Sequence, residues 1–342
     1  MKTSTVIITV LLILVLGAAA LVAVAILTYP GDDAAQHYDY EGGAYVAEIG
    51  GGQATLPSDT QNYNIHGLLS YIEYGDNRVY LLGSMHVGRP EFFPLADAVE
   101  QAMRRANAFA FEYDLTESTT LEGIMMMLAM MALPEGEVLA TYLPPDAHAH
   151  LVGILSTFDY IDYEDVQEMN PTFIEMMMMQ LEVAPALGVY EEHSIDMYVF
   201  EFAMAQGAEI LGLVSMEHQL YALLNPPHDV MVSSVLNWPD KNTQITETRR
   251  LVNAYAAQDI GALRSMVSAV GINVTNLAEL HMLSETARRT SEFAAEIDRL
   301  LRETYEPTTF FVTIGIAHLL HDQGNAIYLL GNKGHAVNEL WR

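Results

Sequence analysis

The 342-residue chain contains no cysteine. This absence excludes disulfide bonds, zinc fingers, iron–sulfur clusters and thiol nucleophiles from its chemistry. It does not exclude a location outside the cytoplasm, because exported domains of this size do not need disulfide bonds to fold. Any catalytic or metal-binding site must therefore be built from histidine, carboxylate, amide or hydroxyl side chains.

Basic residues are also scarce. The chain has 15 Lys and Arg against 44 Asp and Glu, a formal net charge of −29, and its only lysines are Lys2, Lys241 and Lys333. A nucleic-acid partner is excluded, since little in this chain could replace the counterions of a phosphate backbone. The acidity is typical of a solvated surface that aids solubility. Adaptation to a salty habitat and attraction of cations or basic substrates remain alternatives.

The N-terminus carries a charge-free apolar run from Val6 to Leu27. Twenty-two helical residues span about 33 Å, which is enough to cross a hydrocarbon core of about 30 Å. A cleavable signal usually has a shorter apolar core of about 7–15 residues. We therefore predict that residues 1–28 form an uncleaved membrane anchor, with Lys2 in the cytoplasm and the body outside. Small residues at Ala23–Ala25 keep cleavage and secretion open as an alternative.

Residues 29–65 carry Gly, Asp, Ser and Gln without a sustained period and include a Gly-Gly-Gly at 50–52. This composition predicts a linker. The folded domain is then predicted over 66–342. A hydrophobic content of 51% is more than enough to build its core.

Two distant segments, Arg78–His86 and Phe310–His318, share one pattern. In each, a charge-free run of strand length ends in a glycine, and a histidine follows three residues later. Such runs are typical of strands buried on both faces of a sheet, and Gly83 and Gly315 allow a sharp turn where the strands stop. About 0.8 Gly-x-x-His matches are expected by chance from 23 Gly and 12 His in 342 residues. The strand context raises the pair above this background.

The remaining pattern predicts an α/β fold with a mixed central sheet and a large helical insertion between Thr116 and Asn225. A helix over Pro94–Ala106 connects two strands, and another helix is predicted from Ser284 onward. Strands are predicted at 68–74, 79–82, 108–112, 208–214, 310–315 and 336–340. The Met-rich runs Met125–Met127 and Met176–Met179 lie in helical segments, which favours core or groove packing over copper or haem ligation.

His86, His318 and Glu112 are each predicted just beyond or at the end of a strand, on one edge of the sheet, where α/β folds place ligand and catalytic groups. Two histidines and one glutamate are a familiar ligand set for a catalytic divalent metal with one open position for water. Such an ion lowers the pKa of its water and polarises a carbonyl oxygen. The alternative is that Glu112 caps or pairs with a helix and that the histidines are structural.

Several segments resemble, in order, the sequence blocks of the TraB/GumN family, the bacterial relatives of the Tiki proteases. The resemblance runs from about residue 67 to 340. Its blocks are Tyr80–Gly88, Phe93–Leu95, Phe111–Asp114, Ser194–Asp196, Gly212–Gln219, Phe311–Leu319, Leu329–Leu330 and Lys333–Val337.

This resemblance implies a fold related to erythromycin esterase and ChaN-like proteins, and a metal-dependent hydrolase, most closely a Tiki-like metallopeptidase acting on peptides or proteins. Carried over by position, the metal ligands are His86, His318 and Glu112. Arg289 is the counterpart of a family arginine that would stabilise the oxyanion or orient Glu112. Imidazole and carboxylate ligands suit manganese, cobalt and zinc alike, so the ion is not identified.

The chain departs from the family pattern at a few positions. Thr290 follows Arg289 where relatives have asparagine, and Val214 stands where many have glutamate. His321 replaces a common glycine one helical turn from His318 and is an additional candidate ligand, while Asp114 is a weaker candidate base. A non-catalytic peptide- or ligand-binding regulatory protein and a small-molecule esterase remain alternative functions.

Overall fold

The computed structural model describes residues 63–267, 276–320 and 324–341. The predicted anchor, the linker up to residue 62 and His321 lie outside these ranges. Within them, every helix is too short or too polar to cross a membrane. The predicted membrane span at 6–27 therefore stays a prediction.

The described residues form a six-stranded mixed sheet in the order β4-β3-β5-β2-β1-β6. Its strands are β1 Ser70–Tyr74, β2 Asn77–Ser84, β3 Ala108–Tyr113, β4 Glu209–Val214, β5 Thr309–Gly315 and β6 Asn338–Glu339. Strands β2 to β5 pair in parallel, whereas β1 runs antiparallel to both β2 and β6. The α/β class, the mixed sheet and the edge position of the last strand are confirmed.

Helices fill most of the remaining chain. The α-helices are α1 Asp97–Arg105, α2 Leu121–Met131, α3 Leu139–Tyr142, α4 Pro145–Leu155, α5 Tyr163–Val166, α6 Pro171–Met178, α7 Ile195–Gln206, α8 Met216–Leu224, α9 His228–Asn237, α10 Lys241–Ala256, α11 Ile260–Val267, α12 Leu277–Glu303, α13 Ala317–Leu320 and α14 Ala326–Asn332. Short 3₁₀ turns occur at Pro90–Phe92, Glu117–Thr119, Pro185–Leu187 and Glu191–His193, and a π-turn at Met179–Val183.

The two faces of β3 bind different helices. Phe111 meets Phe200 of α7 edge to face, with ring centroids 5.9 Å apart. The next residue, Glu112, pairs with Arg289 of α12. Because successive side chains of a strand point to opposite faces, α7 and α12 cover opposite sides of the sheet. This double cover explains why the central strands are apolar throughout.

A second core lies within the helical insertion and the helix that follows it. It includes Leu151, Ile174, Met178 and Trp238, which are all buried. The Met-rich α6 contributes to this core, as predicted. The Met-rich α2 differs, because Met125 is 59% exposed.

Two element boundaries differ from the predictions. The sequence predicts Ile65 in the linker, but it is 1% exposed and its carbonyl accepts a hydrogen bond from the Ala96 N–H at 2.9 Å. Helix α12 begins at Leu277 rather than Ser284. Its first turns present exposed apolar residues such as Leu280, so the amphipathic period that marks a helix in sequence is weak there.

Candidate functional site

The three predicted ligands meet around Gly315 at the C-terminal ends of parallel strands. A Cβ built on Gly315 would lie 3.2 Å from Glu112 Oε1, 3.6 Å from His86 Nε2 and 3.7 Å from the His318 Cδ2 atom. Parallel pairing of β5 with both β2 and β3 produces this convergence. Glycine at 315 keeps the centre of the site open, since even one methyl group would crowd the carboxylate.

Glu112 is a buried carboxylate with every oxygen bonded. Its Oε1 accepts the Gly315 N–H at 2.8 Å, and its Oε2 accepts the Gln219 amide at 2.7 Å and pairs with Arg289. Burial alone would raise the pKa of Glu112, but the positive charges of His318, Arg289 and His86 and the Gly315 N–H lower it to about 2. The side chain is therefore ionised across the physiological pH range.

His318 is buried and its ring is fixed by a hydroxyl. Its Nδ1 lies 2.6 Å from Thr290 Oγ1, and that hydroxyl donates its proton to the Thr286 carbonyl at 2.5 Å. The Thr290 oxygen therefore accepts from Nδ1–H. In the neutral imidazole the lone pair is then on Nε2, which lies 3.7 Å from Glu112 Oε1.

His86 is the exposed member of the set, with 66% of its side chain accessible. Its Nδ1 lies 3.0 Å from Asp196 Oδ2, and the other Asp196 oxygen accepts the Ser84 hydroxyl at 2.8 Å. The Asp196 carboxylate raises the pKa of His86 to about 9. The Nδ1 contact with Asp196 leaves Nε2 facing Gly315, on the side of Glu112.

Three positioning residues were not assigned from the sequence. Asp196 stands in the first turn of α7, after Ser194 caps the helix by accepting the Met197 N–H. Asp196 and Gln219 both lie in segments that resemble family blocks, but nothing in their spacing connects them to a particular ligand. Thr290 was recognised only as a departure from the family pattern. Strand and helix periodicity cannot show which side chain binds the remote nitrogen of a histidine.

The donor chemistry fits a divalent cation. Both histidines have Nδ1 next to an acceptor, an arrangement that fixes the tautomer and leaves Nε2 as the ligand atom. Two ligands about 2.0–2.1 Å from a tetrahedral ion are about 3.3 Å apart, close to the 3.7 Å between His318 Nε2 and Glu112 Oε1. Within the described ranges, no group of three or more His, Asp or Glu side chains is yet close enough together to hold an ion.

Two other carboxyl groups have different surroundings. Asp114 Oδ1 accepts the Thr116 N–H at 2.9 Å and the Thr116 hydroxyl at 2.7 Å, so it stabilises the turn after β3. Glu191 lies near enough to His86 for their charges to interact, and desolvation at the rim raises its pKa. Glu191 therefore has the chemistry of a proton acceptor, whereas Asp114 is committed to the backbone turn.

A cavity of about 360 Å³ lies elsewhere, lined by residues that include Thr172, Met176, Gln244 and Glu247. None of the candidate site residues lines it. We place the site at the strand ends because the histidines and the buried carboxylate converge there, whereas the cavity has no comparable group of reactive side chains.

The sequence model of the TraB/PrgY/gumN family matches residues 68–339. The uncharacterized protein YbaP of Escherichia coli (strain K12) is 24% identical over 153 residues, which cover 45% of this chain and 54% of YbaP. The matched stretch thus spans about half the length of that relative. No solved structure matches the chain significantly. Because the family match includes all six described strands and the Gly315 site, the chain belongs to the TraB/PrgY/gumN family.

Proposed function

We propose that this protein is a metal-dependent hydrolase that cleaves peptide bonds, with His86, His318 and Glu112 holding a divalent manganese, cobalt or zinc ion. The observation that carries the proposal is the meeting of these three side chains at Gly315, each histidine having its Nδ1 against an acceptor. When bound, such an ion supplies a water of lowered pKa and polarises the substrate carbonyl.

The residues around the ligands have separable tasks. Asp196 and Thr290 fix the rings of His86 and His318, respectively. Arg289 is bound to Glu112, which favours orienting and neutralising that carboxylate over stabilising an oxyanion. With a pKa of about 2, Glu112 is a hydrogen-bond acceptor and a weak base.

A proton acceptor for the attacking water must then come from another group. Glu191 meets this need better than Asp114, because its pKa is raised and its charge interacts with His86. A base whose pKa lies nearer to the working pH transfers protons more efficiently. In this proposal Glu191→Gln lowers kcat while leaving the fold and the metal content unchanged.

We further propose that the predicted anchor holds this reaction at a membrane. A single N-terminal span at residues 6–27, with the body outside the cytoplasm, is supported by the charge-free run and by Lys2 before it. Protease added to spheroplasts should then digest the body while a cytoplasmic marker survives. Protection of both would place the body inside.

The hydrolysis test uses the full chain and a pool of internally quenched peptides. We expect a chelator to abolish cleavage, added metal to restore it, and His86→Ala, His318→Ala and Glu112→Gln each to lose it. His281→Ala, a histidine of α12 outside the site, is the matched control and should stay active. Cleavage that survives chelation and all three substitutions would refute the proposal. Peptide binding without cleavage would favour the binding-protein alternative, and activity on small esters alone would favour an esterase.

A further inference from the structure

Helix α2 is apolar on all sides, but one of its sides is exposed. Its sequence, LEGIMMMLAMM, has one charged residue, Glu122, and Gly123 is its only buried residue. A helix that is hydrophobic all round normally lies inside a protein or a membrane. Leu121 is 77% exposed, and Met125 and Leu128 are exposed as well. Over the described ranges, nothing covers these side chains.

The position of α2 is fixed at its N-terminus. A Cβ on Gly123 would lie 2.1 Å from the Glu117 carbonyl oxygen, so only glycine allows the helix to press against the 3₁₀ turn before it. Thr120 caps the helix by accepting the Gly123 N–H at 3.0 Å. The apolar surface is therefore presented by an anchored helix.

Helix α8 connects this surface to the candidate site. It packs against α2, and its Gln219 donates to Glu112. Tyr221, two residues after Gln219 on the same helix, is exposed. Residues two apart on a helix point to different sides and differ by about 3 Å in height. One side of α8 thus reaches the site, while Tyr221 lies on another side that is exposed. We call Leu121, Met125, Leu128 and Tyr221 the α2–α8 surface.

The charge near this surface is mostly negative. No lysine or arginine occurs between Arg105 and Lys241, a stretch that holds 22 Asp and Glu residues. Glu117, Glu122 and Glu217 flank the α2–α8 surface and are exposed. Lys241 is itself paired with Asp159 and Glu182. Arg288 of α12, which contacts His218 of α8, is paired with Glu285 and Glu292. The complementary partner is apolar and positively charged, and a negative rim would attract it over long range.

We propose that the α2–α8 surface binds a basic, apolar segment of the polypeptide substrate and holds it beside the Gly315 site. This inference rests on the proposed peptide hydrolysis for its purpose, but binding can be measured without it. Flexible methionine side chains adapt to many apolar partners, which suits a surface that accepts varied sequences. The acidic surroundings would select basic segments over acidic ones.

The test measures binding of fluorescent helical peptides by anisotropy, using the full chain with His86→Ala so that cleavage does not interfere. One peptide combines Lys and Leu; in the second every Lys is Glu; in the third every Leu is Ser. We expect the Lys/Leu peptide to bind at least about tenfold more tightly than the other two, and to weaken as salt rises from about 0.05 to 0.5 M. Equal binding of all three would overturn the proposal, and this comparison needs no change to the surface.

The second arm changes the surface itself. Leu121→Gln, Met125→Gln and Leu128→Gln together should weaken binding of the Lys/Leu peptide by about tenfold or more. Tyr305→Gln, at a residue that is 99% exposed outside the surface, is the control and should leave binding unchanged. Unchanged binding by the triple variant would overturn the proposal. The proposal would also be overturned if the triple variant lost dimer formation in sedimentation, or lost binding to neutral lipid vesicles, but kept its binding of the Lys/Leu peptide.

The two proposals can fail separately. A chain that binds the Lys/Leu peptide through the α2–α8 surface but never cleaves any peptide would sink the proposed function and support this inference. A chain that cleaves peptides without preference for basic and apolar sequences, unaffected by the triple substitution, would support the proposed function and overturn this inference.

Discussion

The two Gly-x-x-His segments have the same sequence pattern but place their histidines in opposite surroundings. His86 has an accessible ring and the Asp196 carboxylate as its partner. His318 is 4% exposed and is bound to the Thr290 hydroxyl. The buried half of the site also contains the Glu112–Arg289 ion pair, whereas the His86 half faces solvent. The same motif therefore contributes one histidine positioned by charge and one positioned by packing, which predicts different costs for damage to each half.

Arg289→Met should have the largest effect, since it leaves Glu112 as an uncompensated buried charge. Breaking a buried ion pair by removing one partner costs about 3–5 kcal/mol. The neighbouring Arg288 is the matched control, because it is half-exposed and pairs with Glu285 and Glu292 at the surface. Arg288→Met should cost less than about 1 kcal/mol in urea unfolding. Equal costs for the two variants would show that the buried half is not held by charge.

Alanine substitutions at His318 and His86 should destabilise the protein by different amounts, because one ring is buried and the other is exposed. His318→Ala removes a ring that packs edge to face on Phe293 at 5.0 Å and bonds Thr290, so we expect about 2–3 kcal/mol of destabilisation. His86→Ala should cost about 1 kcal/mol or less, since surface changes are small. Urea unfolding in chelating buffer measures both free energies without a bound ion. A costlier His86→Ala would reverse the comparison.

The two halves should also respond to opposite ends of the pH scale. The pKa of Glu112 is lowered from 4.5 to about 2, so its contribution is present above pH 4.5 and is lost as pH falls towards 2. When the pH falls from 6 to 3 in chelating buffer, the free energy of unfolding should decrease by about 2 kcal/mol more in the unchanged protein than in Glu112→Gln. The pKa of His86 is raised from 6.5 to about 9, so its contribution is present below pH 6.5 and lost as pH rises towards 9. Because the ring is 66% accessible, solvent screens its interaction with Asp196 and this contribution is the smaller one. The same slope in both proteins on the acid side would contradict the assignment to Glu112.

Thr290→Val should give the smallest effect, since it keeps the shape of the side chain and removes the acceptor of His318 Nδ1–H. The lost hydrogen bond should cost about 1 kcal/mol. Imidazole nitrogen chemical shifts should show His318 as the Nδ1–H tautomer in the unchanged protein and a mixture in the variant. Thr290→Ser retains the hydroxyl and should restore the single tautomer. If His318 had a single tautomer in all three proteins, a group other than Thr290 would be fixing that tautomer.

The sequence allowed the sheet and the strand-end residues to be predicted, because both follow from local patterns. Buried strands read as charge-free runs, and parallel strands bring their C-terminal ends together, so His86, Glu112 and His318 could be expected on one edge. Helix α12 was predicted too short, because its first turns are apolar on an exposed side. The start of the domain was also set a few residues late, since a single buried Ile65 has no period to reveal it.

The partners of these residues could not be predicted. Asp196 lies 110 positions from His86, and Gln219 lies 107 positions from Glu112. Such pairs depend on how helices are placed over the sheet, and one sequence carries no periodic signal for that placement. The exposure of α2 was missed for a related reason, because an apolar helix predicts burial and only the packed structure shows that burial is lacking.

Joint action of the two histidines on one ion is tested most directly by the metal content of the purified full chain, measured by inductively coupled plasma mass spectrometry. The unchanged protein, His86→Ala, His318→Ala and the control His281→Ala should be purified in parallel. We expect about one divalent ion per chain in the unchanged protein and in the control, and clear loss in both site variants, although His86 is exposed and His318 is buried. Equal metal content in all four proteins, or loss in only one of the two site variants, would contradict a shared metal site.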